Sequence, residues 1–338
     1  MPRKRRKSRV TRSNLPLLLT GLFLVAAVVL FFVVGGEEEG EGSTVDIPVI
    51  VAPAPPPDAP AEQEGDPIGD LIASLDPEPA PFPKDVPAWR RFAVAAPPDD
   101  GRPMVAIVID DVGLNADRAA DTVALPAPVT LALLPYAENL PALAAKARGA
   151  GHELLVHVPM QPGDSSVDPG PHALKLGLDE AELRKRLDWN LSRFDGYVGF
   201  NNHMGSGFTA DSAGMRVVID EAHRRGLLFL DSRTTKETKG RALAEAAGVP
   251  VIERQVFLDN DISAESIRAQ LATAEKIAEE KGAALVIGHP HAVTIAVLRE
   301  WLAANEDFAV VPVSTLVRRG VGGNGGDVDP AYSDSSGY

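Results

Sequence analysis

The 338-residue sequence contains no cysteine. This absence excludes disulfide bonds, thiolate nucleophiles and cysteine-bound zinc, so any metal ion would have to be held by His, Asp or Glu. Cations are also scarce, because 33 basic residues face 47 acidic ones and the formal net charge is -14. Nucleic-acid binding relies on clustered Lys and Arg. The composition therefore predicts no nucleic-acid partner.

Charge and proline are distributed unevenly along the chain. Residues 1–34 carry seven Lys or Arg and no acid, whereas residues 35–101 carry fifteen acids, three bases and 14 of the 29 prolines. Residues 102–338 hold all seven histidines and have the apolar density that a large core requires. These shifts predict a basic N-terminus at 1–14, a membrane segment at 15–34, a disordered linker at 35–101, one folded domain at 102–319 and a disordered tail at 320–338.

The predicted membrane segment is a run of twenty uncharged residues that directly follows the basic cluster. At about 1.5 Å per residue, a helix of this length spans a hydrocarbon layer of about 30 Å. A cleaved signal peptide is the alternative, but its apolar part would be shorter and a small-residue cleavage pattern would follow. We expect a single-pass inner-membrane anchor with a cytoplasmic N-terminus and a periplasmic folded domain.

From residue 103 onward, short apolar runs alternate with amphipathic stretches. The predicted strands are 104–109, 129–134, 153–158, 197–201, 227–230, 249–252, 284–287 and 309–313. The predicted helices are 116–123, 140–149, 179–194, 212–226, 239–247, 264–281 and 293–305. Near-continuous apolar strands that alternate with helices predict a parallel sheet covered by helices. This pattern alone is compatible with an open doubly wound sheet and with a closed or distorted barrel.

Polar side chains follow five of the predicted strands where each strand ends. They are Asp110 and Asp111, His157, the Asn201-Asn202-His203 run, Asp231 with Ser232, and His289 with His291. Because the carboxyl ends of parallel strands meet on one face, these side chains are expected to share a site. Carboxylates and imidazoles suit a divalent ion such as zinc, with a position left for water. Such a set favours hydrolysis of an amide or ester.

Six motifs in this order carry a family resemblance. They are VAIVIDDVG at 105–113, GHELLVHVPM at 151–160, NNHMGS at 201–206, FLDS at 229–232, FLDN at 257–260 and GHPH at 288–291. Over roughly residues 102–318 the chain resembles the divergent polysaccharide deacetylases, an outlying branch of the NodB-like carbohydrate esterases. The resemblance implies an α/β fold of the distorted (β/α) barrel type, a divalent metal such as Zn²⁺, and removal of an acyl group from an amino sugar of a cell-wall or envelope polysaccharide.

The resemblance also implies roles for individual residues. Asp110 matches the catalytic base, and Asp111 and His157 match metal ligands. His289 matches the acid that protonates the leaving amine, and Asp231 is expected to orient that acid.

One position departs from the pattern of typical deacetylases. The second metal histidine would stand four residues after His157, where this chain has Gln161. His203 is expected to replace it from the next strand end. If it does not, the alternative is a catalytically weak or inactive protein that binds glycan or regulates an envelope process on the same fold.

Three further residues, Asn202, Met160 and His291, are expected to contact the substrate. Asp259 is expected in a solvated turn or at the rim of the pocket. A structural reading of the paired carboxylates also stays open, since Asp residues often cap helices and turns.

Overall fold

A computed structural model describes residues 86–126 and 128–320. Internal contacts divide the chain into Met1–Asp76 and Pro77–Tyr338, and every described residue belongs to the second unit. The predicted anchor at 15–34, most of the predicted linker and nearly all of the predicted tail lie outside the described residues. Within the described ranges, no helix has the length and apolar character needed to cross a membrane.

The described residues form nine strands and nine helices. The strands are β1 (Met104–Val112), β2 (Thr130–Leu133), β3 (Glu153–Met160), β4 (Gly199–Met204), β5 (Leu228–Asp231), β6 (Val251–Glu253), β7 (Val256–Phe257), β8 (Ala283–Gly288) and β9 (Ala309–Val310). The helices are α1 (Ala88–Arg91), α2 (Ala116–Val123), α3 (Leu140–Gly149), α4 (Glu180–Leu191), α5 (Ser212–Arg225), α6 (Gly240–Ala246), α7 (Ala264–Lys281), α8 (Ala292–Ala304) and α9 (Val313–Arg318).

The strands form one sheet in the order β6-β5-β4-β3-β2-β1-β8-β7, and β9 pairs with the first two residues of β1. Every strand pairing is parallel. The predicted parallel α/β fold with outer helices is confirmed. The carboxyl ends of the strands therefore meet on one side of the sheet, as the site requires.

The two edges of this curled sheet are linked by one segment of chain rather than by paired strands. The Arg254 N–H donates to the Asp231 carbonyl on β5 at 3.0 Å, and the next N–H, that of Gln255, donates to Leu285 on β8 at 3.0 Å. The backbone of this segment thus stops hydrogen-bonding to β5 and starts hydrogen-bonding to β8 within two residues. Among the described strands β6 and β7 do not pair, so the expected barrel is a half-barrel that this crossing segment links.

The two faces of the sheet pack against different elements because side chains alternate along a strand. On β1, Val105, Ile107 and Ile109 join a cluster formed mainly with helices α2 to α8, which we call the helix-side core. Met104, Ala106 and Val108 point the other way into a second cluster with α1 and α9, which we call the inner core. Both faces are buried, which explains the continuous apolar runs in the sequence.

The folded part begins before the predicted boundary at residue 102. Trp89 in α1 is only 4% exposed, and its backbone N–H donates to the Gly226 carbonyl at 2.9 Å. Val94 N–H reaches the buried carboxylate of Glu153 at 3.2 Å. A four-residue helix is too short to show a periodic pattern, and its proline-rich surroundings resemble a linker.

Candidate metal centre and catalytic site

A bulge at the end of β1 brings two neighbouring carboxylates to the same site. Ile109 pairs with Leu131 and Val112 pairs with Leu133, so three steps on β1 oppose two on β2. Ile109 and Val112 both point into the helix-side core. Asp111 adopts a left-handed backbone with φ of 56°, a conformation that Asp tolerates better than most residues. Without this bulge, strand alternation would send Asp110 and Asp111 to opposite faces.

The structure brings Asp111, His157 and His203 together. Asp111 Oδ1 lies 3.2 Å from His157 Nε2 and 2.8 Å from His203 Nδ1. The two ring nitrogens are 3.2 Å apart. His203 thus lies within reach of the same point as Asp111 and His157, and its role as the second metal histidine stays a prediction.

The chemistry of these three atoms fits a divalent cation. Ligands about 2.1 Å from a tetrahedral zinc ion lie about 3.4 Å from one another, close to the spacing of this triangle. Asp111 Oδ1 is buried and has no hydrogen-bond partner of standard geometry, so a positive ion would satisfy it. Burial alone would raise the pKa of Asp111, but the rings of His157 and His203 outweigh it and the pKa lies well below its ordinary value. An ionised Asp111 is the form that binds a metal.

Asp110 lies beside this triangle and stays outside it. Its Oδ2 is 3.6 Å from His157 Nε2, and its Oδ1 accepts a hydrogen bond from Asn201 Nδ2 at 2.8 Å. Burial raises the pKa of Asp110 above its ordinary value, against the opposing charges of His157 and His289. A carboxylate whose pKa is raised toward neutrality is suited to accept a proton from water.

His289 faces Asp111 from the end of β8, with Nε2 4.0 Å from Asp111 Oδ2. Its Nδ1 donates to Asp259 Oδ1 at 2.9 Å, and its backbone N–H donates to Asp259 Oδ2 at 2.7 Å. Burial would lower the pKa of His289, but the Asp259 hydrogen bond and the nearby carboxylates raise it to about 9. A protonated His289 can donate a proton through Nε2.

Ligand atoms of Asp259, His289 and His291 also lie within 4.8 Å of one another. Asp259 has both oxygens in use, since Oδ2 accepts from the Thr294 hydroxyl at 2.8 Å in addition to its bonds with His289. Its hydrogen bonds fix the His289 ring. We therefore assign this cluster to orientation of His289 rather than to a second cation.

A cavity of about 200 Å³ opens next to Asp111 and His289. It is lined by Asp111, Gly113, Leu114, Asn115, Arg118, Ala119, His289, Pro290 and His291. The structure thus places His291 beside the site, and its contact with substrate stays a prediction. The mouth is partly apolar, and Leu114 is 61% exposed there.

Asp231 does not orient the acid, and this corrects the sequence-based expectation. Its side chain lies on the α6 side of the sheet, where its oxygens accept from Arg233 N–H at 2.8 Å and from the Thr238 hydroxyl at 2.6 Å. Asp259 contacts His289 instead. Leu230, the residue before Asp231, belongs to the inner core, so strand alternation turns Asp231 away from the site.

Met160 and Asn202 also point away from the site. Met160 is fully buried in the helix-side core. Asn202 pairs with Val158 of that core. Its side-chain oxygen accepts a hydrogen bond from the Ser232 N–H at 2.9 Å, and its side-chain nitrogen donates to the Met204 carbonyl at 2.7 Å. These contacts hold the loops that follow β4 and β5. Neither residue is therefore available to bind substrate as expected.

Gln161 takes a structural role in the loop after β3. Its side-chain oxygen accepts the Leu176 N–H at 2.9 Å, and its backbone carbonyl accepts the N–H of Phe208 at 3.0 Å. The position that would carry a metal histidine in typical deacetylases thus closes a loop in this chain.

The roles of three residues near the site were not predicted from the sequence, although Asn201 was expected at this end of the sheet and Asp259 in a solvated turn or at the rim of the pocket. Asn201 is fully buried and contacts both Asp110 and His157. The sequence could have placed Asn201 on the face of the metal-ligand candidate His203, because the two residues are two apart on one strand and must share a face. Asp259 follows a strand of only two residues, which is too short to show the alternation of polar and apolar residues that identifies a strand.

The third residue is Tyr136, which follows β2. Burial, together with the negative charges of Asp111 and Asp168, raises the pKa of Tyr136 to about 12. Its ring packs on Gly170, where an added Cβ would lie 2.9 Å from Tyr136 Cε1. A neutral phenol thus stands near the carboxylates, but a single tyrosine after a strand gives no sequence signal.

Comparisons with known proteins place the chain in a family. Residues 107–317 match the family model described as divergent polysaccharide deacetylase. The chain is 34% identical over 240 residues to the uncharacterized protein YibQ of Escherichia coli K12, covering 70% of this chain and 74% of that protein. It is 35% identical over 215 residues to an uncharacterized protein of Haemophilus influenzae, covering 63% of this chain and 76% of that protein.

A solved structure also shares the fold. The uncharacterized protein ATU2773 from Agrobacterium tumefaciens C58 superposes with a TM-score of 0.65 and 28% sequence identity, covering 68% of this chain and 95% of that one. The family match spans most of the folded part, including every strand end that contributes to the site. The chain belongs to the divergent polysaccharide deacetylase family.

Proposed function

We propose that the protein is a metal-dependent hydrolase that removes an acyl group, most simply acetyl, from an amino sugar of a polysaccharide. One observation carries this proposal, namely the convergence of Asp111, His157 and His203 on a single point, with Asp110 and His289 on either side. Family membership supports the same reaction class.

The five side chains divide the chemistry of amide hydrolysis among them. When bound by Asp111, His157 and His203, a divalent ion such as zinc polarises a carbonyl and acidifies a water molecule. Asp110 accepts a proton from the attacking water as the new C–O bond forms. His289 gives its Nε2 proton to the leaving nitrogen as the C–N bond breaks, and Asp259 holds its ring in place. The products are a carboxylic acid and a free amine.

The cavity beside His289 is the place for the leaving sugar. The proton donor must lie next to the leaving nitrogen, so the amino sugar occupies the side of the site formed by His289, Pro290 and His291. Arg118 and Asn115 line the same cavity and offer hydrogen-bond donors to hydroxyl groups. Tyr136 is a neutral phenol near Asp111, because burial and the charges of Asp111 and Asp168 raise its pKa to about 12.

We place this activity outside the cytoplasm, on a membrane anchor. The basic cluster followed by the uncharged run at 15–34 supports an anchor, and the acidic, proline-rich stretch after it supports a long tether. A folded domain on such a tether can reach cell-wall or envelope polysaccharide. Protease protection of intact spheroplasts tests this placement, since digestion of the folded domain from outside supports it and complete protection contradicts it.

Acetate release tests the reaction directly. The zinc-loaded full-length protein is incubated with N-acetylated amino-sugar oligomers and with cell-wall fragments, and acetate is measured. The proposal predicts turnover by the wild type and by Gln161→Ala, and its loss in Asp110→Asn. Glycan binding without any acetate release would instead favour the inactive glycan-binding alternative, for which Gln161 in place of a motif histidine was the argument.

A further inference from the structure

Asn201 occupies a central position between the base and the metal ligands. It lies on β4, pairs with His157 on one side and with Leu230 on the other, and is fully buried. Its side-chain oxygen is 2.8 Å from His157 Nδ1. Its side-chain nitrogen is 2.8 Å from Asp110 Oδ1 and 3.1 Å from Ser232 Oγ. One amide therefore contacts the base candidate, a metal-ligand candidate and a hydroxyl.

The neighbours of this amide determine which way it faces. On one side stand two oxygens, from Asp110 and Ser232, and the ionised Asp110 that the proposed base role requires can only accept a hydrogen bond. The NH₂ group must therefore face them. The reversed amide would place its oxygen against the Asp110 oxygen in a fully buried position, which is costly.

The orientation of the amide in turn determines the tautomer of His157. An amide oxygen only accepts, so His157 Nδ1 must carry the hydrogen that completes the 2.8 Å contact. In the neutral ring Nε2 then keeps its lone pair. That lone pair points toward Asp111 Oδ1 and His203 Nδ1, each 3.2 Å away.

We propose that Asn201 is a positioning residue that holds His157 in the Nδ1–H tautomer, so that Nε2 is always presented to the cation, with Asp110 and Ser232 fixing the amide. This inference rests on the proposed function. A hydrogen bond from the second ring nitrogen of a metal-binding histidine orients the ring and strengthens the ligand, and its loss typically weakens metal binding about 10- to 100-fold.

Three variants separate this role from simple packing. Asn201→Leu keeps the number and branching of the side-chain heavy atoms and removes both the acceptor for His157 and the donor to Asp110. Asn201→Asp keeps that acceptor and replaces the donor to Asp110 with an oxygen, so that the two buried carboxylates must share one proton. Asn190→Leu is the matched control, since Asn190 is also fully buried but donates to the His172 and Arg186 carbonyls, remote from the site.

Zinc affinity is measured for each full-length variant by competition with a chromophoric chelator, and folding is checked by circular dichroism. We expect Asn201→Leu to bind zinc about 10- to 100-fold more weakly, and Asn201→Asp and Asn190→Leu to stay within a few-fold of the wild type. Wild-type zinc affinity in folded Asn201→Leu would overturn the proposal. An equal loss in Asn201→Asp and Asn201→Leu would also overturn it, because the retained acceptor would then have no effect.

The tautomer is read separately by long-range ¹H–¹⁵N correlation on the metal-free protein, at a pH where His157 is neutral. The proposal expects Nδ1–H in the wild type and a mixture of tautomers in Asn201→Leu, whereas Nε2–H in the wild type would overturn it. This readout needs no zinc. Absence of zinc binding by the wild type would thus contradict the proposed function, and the tautomer would still decide the role of Asn201.

Discussion

Asp259 holds His289 through two hydrogen bonds, one to the ring at 2.9 Å and one to the backbone N–H at 2.7 Å. Asp259 is 4% exposed, so its negative charge is poorly screened by solvent. The pair connects a buried carboxylate on the segment after β7 to the proton donor at the end of β8. It keeps the His289 ring charged, with Nε2 directed at Asp111.

The first prediction concerns the charge of His289. Asp259→Asn removes the negative charge, so the pKa of His289 falls from about 9 toward its ordinary value. NMR titration of the metal-free protein measures this shift. Asp261→Asn, an exposed neighbour, is the control and leaves the titration unchanged. An unaltered His289 titration in Asp259→Asn contradicts the assignment.

The same pair predicts a pH dependence of stability. The pKa of His289 is raised in the folded state, so its contribution is complete below the unfolded value of about 6.5 and is lost as the pH rises toward about 9. Chemical denaturation of the metal-free wild type should therefore show stability falling across this window. Asp259→Asn should show a flatter profile, and equal slopes in the two proteins would contradict the linkage.

A second prediction separates the base from the metal ligands. Asp110→Asn preserves the size of the side chain and lies outside the triangle of ligand atoms, so zinc content stays at the wild-type level. Loss of a general base lowers the rate about 10²- to 10⁴-fold. Acetate release and elemental analysis are measured on the same preparation. Full activity in Asp110→Asn would remove Asp110 from the mechanism.

A third prediction concerns Asp231, which the sequence suggested as a catalytic residue. Asp231→Ala leaves the Arg233 N–H and the Thr238 hydroxyl without their acceptor, which costs on the order of 1–3 kcal/mol in unfolding free energy. Zinc content and the pH dependence of turnover should persist in the folded fraction. A change in the His289 titration would instead restore Asp231 to the role of orienting the acid.

A fourth prediction tests where the folded part begins. Trp89→Ala removes a buried ring between α1 and the sheet and costs about 3–5 kcal/mol. Val167→Ala removes a valine that is 42% exposed and should change stability by less than about 0.5 kcal/mol. Urea denaturation of both variants makes the comparison. A Trp89→Ala protein as stable as Val167→Ala would show that α1 is dispensable.

The sequence was sufficient to predict the parallel α/β fold and the strand ends that form the site. Apolar runs marked the longer strands, since both faces of the sheet are buried and the runs are nearly continuous. This continuity also limited the prediction, because an unbroken apolar run does not show which face a given residue occupies. Whether a strand-end residue faces the site depended on the alternation of side chains between the two faces of its strand. Asn201 faces the site and Asn202 faces away, while Asp231 faces away and its neighbour Ser232 contacts Asn201.

Other features of the site and of the sheet depend on long-range geometry that local sequence patterns do not predict. The bulge that turns both Asp110 and Asp111 into the site requires one extra residue on β1 opposite β2. The two-residue strand before Asp259 gives no period, and its partner His289 lies 30 residues farther along the chain. The half-barrel likewise depends on the crossing of Arg254 and Gln255 from β5 to β8. These are long-range relationships, which short sequence patterns do not specify.

The central claim is that Asp111, His157 and His203 hold one divalent cation. Elemental analysis of the purified full-length protein, after loading with zinc and removal of excess ion, tests it most directly. The account predicts one zinc per chain in the wild type and in Gln161→Ala, and a loss of at least tenfold in affinity in His203→Ala. Stoichiometric zinc in folded His203→Ala, or none in the wild type, would contradict it.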